Sequence, residues 1–158
     1  MNKTWREFVL AHNPAFYNKP VVTVEHHDRT PSEFNEDILC DLSDRGLIAI
    51  SGDDAVSFMQ GQFTTNVPDV SLSCSQRGAW CTPKGRVIAI FTILARDNGF
   101  LLVLPRELKP TVIKRLGLYV LRSKVTISDV THGDLVCIGC QGEKSETLLK
   151  YFYHQLIF

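Results

Sequence analysis

The feature that most constrains the fold is the stretch over residues 76–96, in which the turn Pro83-Lys-Gly-Arg86 joins a short strand to a long apolar one. The proline fixes its own φ angle and the glycine tolerates a positive φ, so the chain can reverse direction here. The second strand, over residues 87–95, is almost wholly apolar, which predicts that both of its faces are covered. The stretch therefore predicts a hairpin with two cations at its tip, Lys84 and Arg86.

The segments around this hairpin follow the periodicities of strands and helices. Strands are predicted over residues 47–51, 79–81, 87–95, 100–104 and 124–128, and helices over 54–62 and 105–120. Asp53 is the predicted N-cap of the first helix, with Val56, Phe58 and Met59 facing inward. From residue 47 to residue 129 the order is β-α-β-β-α-β, with one extra short strand before the hairpin. This order predicts an α+β fold: a ferredoxin-like, or split βαβ, antiparallel sheet with helices on one face.

The chain divides into three predicted parts. Residues 1–37 form an N-terminal extension with a short helix over 4–11 and a strand over 21–24, and residues 38–132 form the ferredoxin-like subdomain. Residues 133–158 begin a second subdomain, with a strand over 135–139 and a helix over 143–154. The sequence ends on three apolar residues, so we expect either a truncated second subdomain or burial of this end by a partner or a second copy.

Composition narrows the function classes. Lys plus Arg and Asp plus Glu both number 17, which argues against binding dominated by phosphate neutralisation but leaves room for a local basic patch. This balance agrees with the prediction of no direct nucleic-acid contact. No apolar run reaches the length of a membrane span, and the N-terminus lacks the apolar core of a signal peptide, so a cytoplasmic location is expected. Five irregularly spaced cysteines predict free thiols. Cys137-Ile-Gly-Cys140 lacks the second ligand pair of a zinc site, and no metal site is predicted.

Five motifs occur together in order. They are Asp41-Leu-Ser-Asp-Arg-Gly46, Ile50-Ser-Gly-Asp-Asp54, Phe58-Met-Gln-Gly-Gln62-Phe-Thr64, Cys81-Thr-Pro-Lys-Gly-Arg86 and Leu121-Arg-Ser-Lys-Val-Thr-Ile127. Over roughly residues 38–140 this set resembles the folate-binding YgfZ group, which is related to the aminomethyltransferase (T-protein) of the glycine cleavage system. The resemblance implies a tetrahydrofolate-binding accessory protein that supports assembly or repair of iron–sulfur enzymes. Some of those enzymes modify tRNA. The partners that the resemblance implies are iron–sulfur proteins or their assembly factors.

Two departures from the family pattern bear on activity. T-proteins carry an acidic pair just after the glycine turn, where this chain has Ala89 and Ile90, which cannot perform general acid–base catalysis. We therefore predict no catalytic residue and no aminomethyl transfer. The family's Lys-Gly-Cys-x-x-Gly-Gln-Glu signature belongs to a later region and is absent here. The resemblance also implies a central pocket lined by several subdomains, of which this chain supplies little more than one, so weak or undetectable folate binding is expected.

Eight residues are the predicted folate contacts. Glutamine amides and a hydroxyl suit the edge of a pterin ring, and cations suit the dicarboxylate tail of folate. The set comprises Gln60, Gln62, Thr64, Cys81, Lys84, Arg86, Arg122 and Lys124. Each group also has an alternative interpretation without folate. The side chains of Gln60, Gln62 and Thr64 could cap the end of the helix. The cations could be ordinary surface charges, and Cys81 could be a small buried core residue.

Two other functions are compatible with the sequence. The first is a folate-dependent one-carbon transferase, for which a carboxylate would have to lie near Ala89 or Ile90. The second is a non-catalytic module whose sheet binds another protein, for which an exposed apolar surface is required.

Overall fold

The computed structural model describes residues 38–131 and 135–142, together with residues 7 and 147. Within these residues seven strands form two antiparallel sheets, and two α-helices accompany the larger sheet. The strands are β1 (Ile38–Asp41), β2 (Arg45–Ser51), β3 (Gln76–Cys81), β4 (Val87–Arg96), β5 (Gly99–Pro105), β6 (Thr126–Asp129) and β7 (Ile138–Gln141). The helices are α1 (Ala55–Gln62) and α2 (Lys109–Gly117), and short 3₁₀ turns cover Val67–Asp69 and Arg106–Leu108.

The larger sheet has five strands in the order β3-β4-β5-β2-β6, and every neighbouring pair is antiparallel. The turn between β4 and β5 depends on Gly99, whose φ is +126°. A Cβ at this position would collide with the carbonyl oxygen of Ile50 on the neighbouring β2. The predicted mixed α/β architecture, with antiparallel sheets and two helices, is confirmed.

One face of this sheet forms the core together with both helices. In β4, Ala89, Phe91 and Ile93 are buried and alternate with more exposed residues, as expected for a strand whose successive side chains point to opposite faces. They belong to a single cluster with apolar residues of β2, β5 and the helices, including Met59 of α1 and Leu116 of α2. This cluster holds the hairpin against the helices.

The prediction that both faces of the long strand are covered is wrong. Ile90 is 55% exposed and Leu94 is 37% exposed. Both lie on the side of β4 opposite the buried cluster, because residues two apart in a strand share a face. An apolar pattern in the sequence therefore overstated the burial of this strand.

Some details of the helices also differ from the predictions. Val56 is 42% exposed, and Ala55 takes the buried position with Phe58 and Met59. The N-cap of α1 is Asp54 rather than Asp53. The second helix is shorter than predicted and ends at Gly117, and Tyr119 beyond it is 44% exposed.

Contacts divide the chain into two units, residues 1–43 with 133–158 and residues 44–132. In the first unit β1 pairs with β7, with Ile38 opposite Gln141, and the second unit contains the five-stranded sheet.

The subdomain boundaries at residues 37 and 132 stay a prediction. The predicted strand over 21–24 and the apolar end at 156–158 lie outside the described residues. So do the helices over 4–11 and 143–154, apart from Glu7 and Thr147, which are helical. Among the described residues, no helix is long and apolar enough to span a membrane.

Candidate functional site

The hairpin turn between β3 and β4 is held by a small set of hydrogen bonds. Thr82 N donates to the Arg86 carbonyl oxygen at 2.7 Å, and Gly85 N donates to the Thr82 carbonyl oxygen at 2.8 Å. Arg86 N also donates to Thr82 Oγ1 at 3.1 Å. Because these bonds use only backbone groups and one hydroxyl, the side chains of Lys84 and Arg86 remain exposed. Neither cation makes an ion pair with any described residue.

The loop that follows α1 is fastened to β3 next to this turn. Thr64 N donates to the Ala79 carbonyl oxygen at 3.0 Å, and Ala79 N donates to Thr64 Oγ1 at 2.9 Å. Gln60 Oε1 accepts a hydrogen bond from Val67 N at 2.7 Å. The side chains of Gln60 and Thr64 therefore stabilise the loop through Val67 and Ala79, rather than capping the end of α1. Gln62 is half-buried and makes no side-chain hydrogen bond within the described part of the chain.

Cys81 lies at the end of β3, where the pairing with β4 shifts register between Trp80 and Cys81. Its side chain is half-buried, so it is neither a core residue nor fully open. Trp80 is 3% exposed and contacts the Tyr119 ring edge-on, with 6.1 Å between centroids. The hairpin end thus brings together five of the predicted contacts, namely Gln62, Thr64, Cys81, Lys84 and Arg86.

The other two predicted cations lie at a different end of the sheet. Lys124 precedes β6, and its backbone N–H donates to Asp54 Oδ2 at 2.8 Å just beyond the end of β2. Its ammonium group pairs with Asp53 at 3.3 Å, and both side chains are more than three-quarters exposed. Arg122 lines an open cleft of about 720 Å³ together with Asp54, Tyr119, Leu121 and Ser123.

The register of the sheet separates these two ends. β2 and β4 run in the same direction, each antiparallel to β5 between them. The hairpin turn precedes β4, whereas Lys124 lies beyond the end of β2. β4 has ten residues, which corresponds to about 33 Å at the usual rise of a strand. The two pairs of predicted cations therefore do not converge on one small pocket.

Ala89 and Ile90, the positions predicted to correspond to the acidic pair of T-proteins, lie near the hairpin end of β4. Ala89 is 1% exposed and pairs with Trp80, and Ile90 pairs with Ala79. No aspartate or glutamate occurs between Asp69 and Asp97 in the sequence, so this hairpin supplies no carboxylate that could take over proton transfer.

A buried charged network was missed by sequence reasoning. Lys109 is 6% exposed, and its Nζ donates to Thr131 Oγ1 at 2.7 Å and forms an ion pair with Asp129 at 2.6 Å. Thr131 Oγ1 in turn accepts from Leu47 N at 2.9 Å. Burial raises the pKa of the Asp129 carboxyl, but hydrogen bonds from Lys109 and Thr131 and the Lys109 charge outweigh burial and lower it from 3.8 to about 2.

This network is structural rather than catalytic. A lysine beside a threonine hydroxyl resembles a base–nucleophile pair. Lys109 Nζ, however, already donates to Asp129 and Thr131, and Thr131 is only 8% exposed, so neither group is open to a substrate. The network fastens the start of α2 to β6 and β2. Lys109 and Asp129 are 20 positions apart, and no local motif in the sequence marks them as partners.

Two of the five cysteines lie on the β1–β7 ribbon, and Cys137 directly precedes β7. Cys40 is opposite Gly139, and Cys140 is opposite Leu39. Burial, and then the nearby Cys40 charge, raise the pKa of the Cys140 thiol above its usual value. The described cysteines are all free thiols, and within the described residues no group of three or more His, Cys, Asp or Glu side chains is arranged to hold a metal ion.

Both the sequence and the structure of this chain are similar to those of known proteins. The model of the GCVT N-terminal domain matches residues 4–156. The tRNA-modifying protein YgfZ of Photobacterium profundum is 30% identical over 115 residues, which cover 73% of this chain and 34% of that protein. The tRNA-modifying protein YgfZ of Colwellia psychrerythraea is 29% identical over 137 residues, covering 85% of this chain and 42% of that protein.

The fold comparison agrees with the sequence comparison. The crystal structure of the glycine cleavage system aminomethyltransferase T from Bartonella henselae superposes with a TM-score of 0.63 at 17% identity. The superposition covers 73% of this chain and 31% of the Bartonella henselae protein. The chain thus spans between about a third and two fifths of the length of the YgfZ relatives named above. The family match, over almost the whole chain, shows that this protein belongs to the GCVT N-terminal domain family and is of the YgfZ type.

Proposed function

We propose that this chain is the folate-binding N-terminal part of a YgfZ-type accessory protein that supports iron–sulfur enzymes, including enzymes that modify tRNA. The name of the YgfZ relatives supports the connection with tRNA modification. The order β6-β2-β5-β4 within the larger sheet supports a split βαβ, ferredoxin-like arrangement with β3 added at one edge. We propose that the location is cytoplasmic.

The observation that carries the folate proposal is the geometry of the hairpin end. The Thr82–Arg86 hydrogen bonds preorganise a turn that presents two cations without partners among the described residues. The half-buried Gln62 amide ends α1, directly before the loop that is fastened to the adjacent strand through Thr64 and Ala79. Cations of this kind suit a dicarboxylate, and an amide suits the mixed donor and acceptor edge of a pterin.

We assign the folate tail to Lys84 and Arg86 rather than to Arg122 and Lys124. The second pair lies at another end of the sheet, and Lys124 already pairs with Asp53. The chain supplies one wall of a site, because it spans only part of its relatives. Weak binding by the 158-residue chain is therefore expected.

A one-carbon transferase is not favoured by this site. Ala89 is packed in the core and Ile90 carries no ionisable group, so the hairpin offers neither an acid nor a base to a bound folate. By contrast, the exposure of Ile90 and Leu94 favours a protein-interaction role that accompanies folate binding.

Calorimetric titration with tetrahydrofolate tests the proposal. The titration is made on the 158-residue chain and on a chimera extended by the remaining region of the Photobacterium profundum relative. We expect binding to be stronger in the chimera, and the K84Q/R86Q double variant to weaken it at least tenfold, because each charge-assisted contact to a carboxylate contributes about 1.5–3 kcal/mol. The R122Q/K124Q double variant is the matched comparison and is expected to change affinity less than twofold.

Two outcomes would count against the proposal. Absence of tetrahydrofolate binding in both proteins would refute the folate assignment. A larger effect of R122Q/K124Q than of K84Q/R86Q would refute the choice of the hairpin end. The iron–sulfur role is tested separately by restoring the activity of iron–sulfur tRNA-modifying enzymes in a bacterium that lacks its own YgfZ protein. Failure of the chimera to restore that activity would refute this role.

A further inference from the structure

The β3–β4 hairpin concentrates positive charge in a protein with no net charge. From residue 70 to residue 96 the sequence contains four cations and no acidic residue. All four side chains are exposed, and none forms an ion pair with a described residue. They are Arg77, Lys84, Arg86 and Arg96. An unbalanced cluster of this kind attracts an anionic partner.

Two of these cations share a sheet face with exposed apolar side chains. Arg77 lies directly opposite Thr92, and Ala79 lies opposite Ile90. Cross-strand partners point to the same side of a sheet, and so do residues two apart in a strand. The surface defined in this way is called the hairpin face and consists of Arg77, Ala79, Ile90, Thr92, Leu94 and Arg96. It lies on the side of β4 opposite the buried Phe91 and Ile93.

The composition of the hairpin face distinguishes between classes of anionic partner. Ile90 and Leu94 are 55% and 37% exposed and lie on the same side of β4, and apolar side chains grouped on one exposed face mark an interaction surface. The face carries no aromatic side chain, whereas proteins that bind single-stranded nucleic acids commonly stack bases on aromatic rings. The mixture of aliphatic and cationic side chains therefore favours a protein over a nucleic acid.

The contact must be made with the face of the hairpin rather than with its edge. β3 is an edge strand, but Thr64 already occupies the outward N–H and C=O groups of Ala79. Addition of another strand at this point is therefore blocked. The opposite side of the same sheet buries its apolar residues against helices, which is the usual way of covering a sheet face.

We propose that the hairpin face is a docking surface for an acidic amphipathic helix of a protein partner. The apolar stripe of that helix packs on Ile90 and Leu94, and its flanking carboxylates pair with Arg77 and Arg96. The partner helix must be acidic, because the charged residues of the hairpin face, Arg77 and Arg96, are both cations. This inference goes beyond folate binding and uses different side chains from the proposed folate contacts.

The test uses fluorescence anisotropy with the 158-residue chain and a fluorescein-labelled 18-residue helical peptide with a leucine stripe flanked by glutamates. We expect saturable binding that weakens with added salt, because exposed charge pairs are screened. The R77Q/R96Q double variant and the I90S variant are each expected to weaken binding at least tenfold. The matched control L121S/R122Q alters an exposed apolar residue and a cation away from the hairpin face and is expected to leave affinity within twofold. Circular dichroism confirms that each variant is folded.

Several results would overturn the proposal. Equal binding of a peptide with lysines in place of glutamates would show that charge plays no part. Tighter binding of a 20-nucleotide single-stranded RNA, lost in R77Q/R96Q, would assign the surface to nucleic acid. Self-association of the chain that I90S abolishes would assign it to a second copy. Binding of the acidic peptide that survives both R77Q/R96Q and I90S would place the contact elsewhere.

Discussion

Replacement of Asp129 by asparagine is expected to destabilise the fold by about 2 kcal/mol, because it removes the counter-ion of a buried lysine. The Lys109 side chain is 7% exposed, and its ammonium lies 2.6 Å from the Asp129 carboxylate. The lowering of the Asp129 pKa from 3.8 to about 2 corresponds to about 2.4 kcal/mol for a fully buried group. The Asp129 side chain is 42% exposed, so solvent screening reduces this to about 1 kcal/mol.

The remaining part of the expected loss comes from Lys109 itself. In the asparagine variant its ammonium keeps the Thr131 hydroxyl but no negative charge, and an uncompensated buried charge costs about 1 kcal/mol or more. The matched control is D53N, which breaks the Lys124 ion pair between side chains 77% and 79% exposed. That change is expected to cost less than about 0.5 kcal/mol.

Urea denaturation followed by circular dichroism measures both variants at pH 7 and at pH 3. The folded-state pKa of Asp129 lies below its unfolded value, so its contribution is present above about pH 3.8 and is lost as the pH falls towards 2. The difference between the original chain and D129N should therefore shrink at pH 3. Equal stability of D129N and D53N at pH 7 would refute the argument, as would a D129N deficit that does not change with pH.

Two further predictions concern backbone positions and the loop after α1. Gly99→Ala should destabilise the chain by about 2 kcal/mol or more, because φ is +126° and the new methyl group would meet the Ile50 carbonyl oxygen. Gly61→Ala should instead stabilise the chain by about 0.5–1 kcal/mol, because Gly61 lies in a helix and a Cβ there would have no neighbour within 4 Å. Thermal unfolding compares the two, and an equal effect of both would contradict this reasoning. Thr64→Val should lower the free energy of unfolding by about 1 kcal/mol, because the Ala79 N–H loses its acceptor. Hydrogen exchange at the Ala79 amide should accelerate. Unchanged exchange would show that this hydrogen bond does not hold the loop.

Much of the fold could be predicted because its signals are local. The apolar runs over residues 87–95 and 100–104 identify β4 and β5, whose antiparallel pairing agrees with the predicted sheet. The first helix was placed to within one residue. Strand β1 was not predicted, because its four residues acquire their partners only by pairing with β7, which lies about a hundred positions further along the chain.

The candidate site also combines features that the sequence predicts with features that only the folded chain shows. The sequence by itself identified the hairpin and its two cations, since both depend on residues close together in the chain. Only the tertiary structure decided that Lys124 lies at a different end of the sheet, that Lys109 is a buried structural charge, and that Ile90 faces outward beside Arg77. These outcomes depend on strand register and on which sheet face the helices cover, and contacts between distant segments determine both.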